Sequence, residues 1–176
     1  INFKGIKKDK KNFLISSFLY EEKENFFNFQ KINFSKVFQI NKLDRLELNY
    51  FDKDNKKNSI LLLRKNKEYF LSGSYFNADN LIKNLFENDQ NKVSLINIDN
   101  NFNINIDKVR LDKDNVLQNL VGNLKFKNKK IDNGKLEGLF TSNKKLKLTI
   151  NKNGNNKVTT LFLDRAKPII RRYKFI

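Results

Sequence analysis

Apolar and polar residues alternate almost without interruption from Phe102 to Leu163. Phe102-Asn103-Ile104-Asn105-Ile106-Asp107 opens the series, and Leu120-Val121-Gly122-Asn123-Leu124-Lys125-Phe126 and Leu136-Glu137-Gly138-Leu139-Phe140 continue it. Leu146-Lys147-Leu148-Thr149-Ile150 and Val158-Thr159-Thr160-Leu161-Phe162-Leu163 close it. Successive side chains of a strand point to opposite faces, so this period of two predicts a sheet with one apolar and one polar face. The connections at 127–130, 141–145 and 151–156 are short and rich in Asn, Gly, Lys and Asp. They suit antiparallel hairpins, because a parallel crossover needs a dozen or more residues.

Earlier in the chain the same reading gives a strand over 13–20, a charged tip at 21–25 and a returning strand from Phe26 to Gln30. Residues 1–40 are Phe-rich without a clean period. Leu43 to Tyr50 alternates, 52–58 is a charged turn, 59–64 a more apolar strand, and Asn66-Lys67 a tight turn into Glu68–Gly73. The period then changes. Ala78, Leu81, Ile82, Leu85 and Phe86 form one stripe of a helix over 77–87, with Asn77 placed to cap it. A second stripe, Ala166, Ile169, Ile170 and Tyr173, predicts a helix over 165–173 begun by Asp164, with Pro168 in its first turn. The chain is thus expected to be mainly β: a curved antiparallel sheet, groove-like, with two short amphipathic helices. Residues 1–76 form a β region, the first helix comes next, and most of 93–163 is strand.

Composition narrows the chemistry. With no Cys and no His among 176 residues there is no thiol nucleophile, Ser-His triad or ordinary zinc site, so neither an enzyme nor a metal or cofactor is expected. The longest apolar run, Ile60–Leu63, is far below the roughly 20 residues of a membrane-spanning helix. The chain begins at Ile1 and is read as a single domain or a fragment of a longer repeat-containing protein, with any membrane anchor outside it. The net charge of +17 raises a nucleic-acid reading. However, the cations are overwhelmingly Lys, spread along the polar phase, and Arg, the side chain that forks onto phosphates and bases, occurs only at 45, 64, 110, 165, 171 and 172. Lys, Asn, Ile and Phe are residues of AT-rich codons, which gives the excess a source unrelated to binding. No nucleic-acid partner is expected; attraction to an anionic membrane surface arises from the same charge, screened over ~8 Å at ordinary salt.

Gly122 and Gly138 fall in phase with the apolar positions, where a glycine marks a bend or close approach of another group. Three elements together carry a resemblance. Leu71 to Ile82 is a strand ending in a small-residue turn and running into a helix. L-x-G-x-L and L-x-G-x-F strands surround Gly122 and Gly138, separated by a turn containing Gly134. Leu163 to Tyr173 is a strand feeding an Asp-started amphipathic helix. This pattern, covering somewhat more than half the chain, resembles the C-terminal repeat region of AsmA/YhdP-like proteins of Gram-negative envelopes; Lys167-Pro168 departs from the small residues expected there.

The resemblance implies the periplasmic region of a protein anchored in the inner membrane. Such proteins form long curved sheets with an apolar concave face, thought to carry phospholipid between the two membranes. Phospholipid or another lipid, and neighbouring repeats of the same chain, are then the expected partners. Three in-phase sets are the candidate lipid contacts: Phe102, Ile104 and Ile106; Leu120, Leu124 and Phe126; Leu146, Leu148 and Ile150. Lys125, Lys147, Asn103 and Asn105 should occupy the opposite face. The sequence equally fits a structural or interaction module whose apolar face is a closed core, and a basic nucleic-acid-binding domain is the third reading.

Overall fold

The alternating segments become rungs of one sheet. The computed structural model describes residues 1–8, 12–37, 39–80, 98–128, 130–141, 143–154 and 156–164. Its strands are β1 (Asn2–Lys8), β2 (Asn12–Glu22), β3 (Asn25–Ser35), β4 (Ile40–Lys42), β5 (Arg45–Phe51), β6 (Lys57–Lys65), β7 (Glu68–Asn77), β8 (Asn101–Arg110), β9 (Val116–Lys127), β10 (Lys130–Phe140), β11 (Lys145–Asn153) and β12 (Asn156–Leu163). They lie in sequence order in a 12-stranded open sheet, with only the short β4 off the path, against β3. Tight turns set the registers. Asn66 and Lys67 both take positive φ, 50° and 68°, the primed turn geometry whose twist matches the flanking strands.

The antiparallel expectation is corrected at one junction: β7 and β8 run parallel, with Leu71 beside Ile104 and Gly73 beside Ile106. The connection between them, residues 78–100, has the length that such a crossover needs. Polar groups fasten this pair at both ends. Asn101 and Asn103 donate to the two Glu68 carboxylate oxygens at 3.0 and 3.1 Å, and the Ala78 N–H donates to the Arg110 carbonyl at 2.8 Å.

The two short helices are not found among the described residues. Asn77 still belongs to β7, paired with Arg110, and helical backbone opens only at 79–80; residues 81–87 lie outside the described residues. The Asn77 side chain does accept a hydrogen bond from the Asp79 N–H at 3.2 Å, as a cap does. The stretch 165–173 also lies outside the described residues. The Asp164 carboxylate accepts the Lys145 N–H at 2.7 Å and closes the end of the β11–β12 hairpin. Gly134 sits inside β10, not in a turn.

Two creases interrupt the ladder. Along β1, β2 and β3 no pair forms at Gly5–Ser16 or Ser16–Lys31, and Gly5 and Lys31 have positive φ. Ser74 on β7, Asp107 on β8 and Asn119 on β9 mark the second, where the same displacement lets Ile106 and Val109, three residues apart, both be buried. Asn119 has φ 52° and shifts the β9–β10 register by one residue; an extra residue at Asp132 shifts it back. The buried core lies along the second crease, where Ile60, Ala78, Ile106, Val109, Leu111, Leu117, Phe140 and Leu146 pack together.

Gly122 and Gly138 have different reasons. A Cβ on Gly122, at φ 152°, would lie 2.0 Å from the Lys135 carbonyl oxygen, whereas one on Gly138 would meet Gln118 and Leu120 at 3.5 Å, ordinary contact. Gly122→Ala is therefore expected to lower the unfolding free energy by roughly 2–4 kcal/mol, and Gly138→Ala by under about 1 kcal/mol. Denaturant titration of both proteins checks this.

Candidate functional site

Cross-strand partners in a ladder face the same side of a sheet, so the registers define the apolar face row by row. One row reads Phe18, Phe29, Leu46, Leu62, Leu71, Ile104, Gly122, Leu136, Leu148 and Leu161, one residue from each strand from β2 to β12 excluding β4. Every position is apolar or glycine. At about 4.8 Å per strand the row spans roughly 43 Å. A second row runs beside it through Tyr20, Phe27, Leu48, Ile60, Gly73, Ile106 and Leu120, and on through Gly138, Leu146 and Leu163.

The three predicted sets all join this face. Phe102 pairs with Leu124 and Ile106 with Leu120, while Ile104 faces Gly122. Leu146, Leu148 and Ile150 are not adjacent to these; β10 intervenes and supplies Gly138, Leu136 and Gly134 opposite them. Phe126 meets Phe102 edge-on at 5.2 Å, and Phe102 stacks on Tyr69 at 4.8 Å. Burial divides the nine. Ile106, Leu146 and Ile150 are buried, whereas Phe102, Ile104, Leu120, Leu124, Phe126 and Leu148 are half-buried. Glycines at 122, 134 and 138 stand between them without side chains. Lys125, Lys147 and Asn105 are exposed in the opposite phase, with Asn103 half-buried among them. The outer face is less polar in the N-terminal half, where Leu61, Leu63 and Phe70 share that phase.

Sequence reasoning missed a polar cluster at one end of the strands. Its signal is a repeated tetrapeptide, Asp-Lys-Asp-Asn, at 52–55 and 112–115. In each copy the first Asp accepts backbone N–H groups: Asp52 from Asp54 and Lys56 at 3.0 and 2.9 Å, Asp112 from Asp114 and Asn115 at 2.9 Å. Arg110 ties the copies together, pairing with Asp54 and donating from Nε to the Asp112 carbonyl at 3.1 Å. The fully buried Asn58 accepts the Asn77 N–H at 2.6 Å, and Asn77 donates to Asp52 at 2.7 Å. Burial pushes the Asp52 carboxyl up, but the hydrogen bonds from Asn77, Lys56 and Asp54 outweigh it and hold the group below its ordinary range. The cluster anchors the entry to the crossover, and Asp52, Asp54 and Asp112 are occupied by Arg, Asn and backbone donors.

A cavity of about 520 Å³ opens on the outer face between Asn119, Glu137, Leu139, Lys145, Lys147 and Phe162. Lys135 and Lys147 approach Glu137 at 2.9 and 3.8 Å and hold its carboxyl below the usual range, and with Lys145 the cleft keeps an excess of positive charge. Among the described residues no group of three or more Asp or Glu is placed to hold a metal ion, and no helix is long and apolar enough to cross a membrane. No family model matches the chain, and neither a curated protein nor a solved structure matches it.

The depressed Asp52 carboxyl contributes stability above its unfolded-state pKa that is lost as pH falls through the lower folded value. Asp52→Asn is expected to cost about 1–3 kcal/mol at pH 7 and to flatten the acid limb of the stability curve. Thermal melts of both proteins from pH 7 down to pH 3 measure it.

Proposed function

We propose that this chain is a segment of a bacterial envelope protein that holds or conducts phospholipid along the apolar face of its sheet. The observation that carries the reading is the row from Phe18 to Leu161, apolar at every rung apart from one glycine, half-buried as far as Leu148 and exposed at Leu161 in the last strand. A globular sheet that only needs a core can end its apolar face before its edges. An acyl chain gains about 0.8 kcal/mol for each CH₂ removed from water, so two chains can be held with no polar site. Gly122, Gly134 and Gly138 carry no side chain onto the face among Ile104, Leu124, Leu136 and Leu148. Lys125 and Lys147, on the outer face, keep that side wet. The reading places the segment in the periplasm, continued by neighbouring repeats of the same protein.

Native mass spectrometry of gently purified protein tests it directly, and co-purified phospholipid is the expected result. Leu148→Asp, at a half-buried position, is expected to keep the β circular-dichroism spectrum while lipid uptake falls at least about tenfold. Lys147→Asp, one residue away on the outer face, should leave uptake unchanged. Loss of fold in Leu148→Asp with no lipid on the parent protein would favour a sealed structural module; retained fold with undiminished uptake would refute the groove.

A further inference from the structure

Among the described residues the sheet ends at β1 and β12, and these two strands are built differently. β1 carries Lys4, Lys7 and Lys8 among seven residues, with Gly5 kinked at φ 62°. Lysines and kinks are the devices by which edge strands refuse partners. β12 has one charge, Lys157, among its eight residues and no proline or glycine. It exposes apolar side chains on both faces: Val158 at 56% and Phe162 at 53% outside, Leu161 at 38% inside. Its inner edge pairs with β11, and among the described residues no strand pairs with its outer edge.

We propose that β12 is the docking edge for a second copy of this chain, joined antiparallel across a two-fold axis. Pairing must put outer side chains against outer ones, which allows registers only in steps of two residues. The register centred on Thr160 engages residues 157–163 of each copy. It sets Val158 opposite Phe162 of the partner subunit, and the reverse, so the most exposed apolar residues of the strand cover one another. Leu161 then lies beside the partner's Thr159, and the apolar face continues from one copy to the next. Charge favours the same choice. The two Lys157 side chains would stand at opposite ends of the new pair, about 20 Å apart and beyond the ~8 Å screening length. Self-pairing of β1 would instead join two strands whose sequence holds three lysines in seven residues. A closed two-fold pair uses each β12 edge once, so this contact joins two copies and no more.

This inference does not rest on lipid binding. Sedimentation velocity on the full chain should show a concentration-dependent monomer–dimer equilibrium. Phe162→Lys should weaken the dimer by roughly tenfold or more with an unchanged circular-dichroism spectrum. Because the chain has no cysteine, Thr160→Cys gives a single thiol that meets its own copy at the axis, and mild oxidation should yield a covalent dimer. Lys4→Cys on the other edge should not. A monomer at all concentrations overturns the proposal, as does equal cross-linking through Lys4→Cys or a dimer indifferent to Phe162→Lys. A monomer whose β12 amides are protected from hydrogen exchange would show that the chain covers its own edge, and would overturn it too.

Discussion

Everything in this sheet depends on keeping side chains in phase across the ladder. One uncompensated residue would turn the remainder of a strand over, sending Leu120 and Leu124 to water and Lys125 inward. The protein inserts residues nevertheless, and along β9 and β10 it cancels one insertion with another. Asn119 on β9 and Asp132 on β10 shift their shared register by one residue in opposite directions. At the first crease β1, β2 and β3 make the displacement together, so none loses register with its neighbour. Bulges bend strands and increase twist, which lets a wide sheet curl without giving up its single apolar face.

The same creases mark the limit of what the sequence reveals. Where β9, β10 and β11 run regularly, the period of two is plain, and the phases of Leu120, Leu124, Leu136 and Leu148 are legible in full. In β2 and β3 the crease brings Ile15 and Phe18, or Phe29 and Ile32, three residues apart, which is a helical spacing and blurs the alternation. Asn77 is ambiguous for another reason: it both closes a strand and caps the Asp79 N–H, and only the pairing with Arg110 shows that the strand comes first. The parallel junction is implicit in the length of 78–100, but a connection's length does not say which strand its far end will meet. The half-buried and buried members of the predicted face look alike in the sequence, because alternation reports a face and not its depth.

Polar and apolar work are segregated by position along the strands. The face is held by side chains that form no directed bonds, while direction comes from the ends. Glu68 with Asn101 and Asn103 clamps the parallel pair at one end, and Asp52, Asn77 and Arg110 clamp it at the other. No hairpin joins the parallel pair, and side-chain hydrogen bonds lie at both of its ends. Arg110 belongs to these clamps, whereas Lys125 and Lys147 stand outside them and occupy the outer phase.

Among the described residues the extensive backbone contacts between strands are those between neighbours in the ladder. Cooperativity then passes only from each strand to the next, as in a repeat array. Seven strands are laid down by local turns before the crossover and five after it, so each half can zip from its own hairpins with short loops to close. The β7–β8 pairing is the single step that must wait for distant chain to arrive. Under tension the same arrangement would yield strand by strand from an edge, and a force applied across the parallel junction would divide the protein into two meanders, each retaining its own internal ladder.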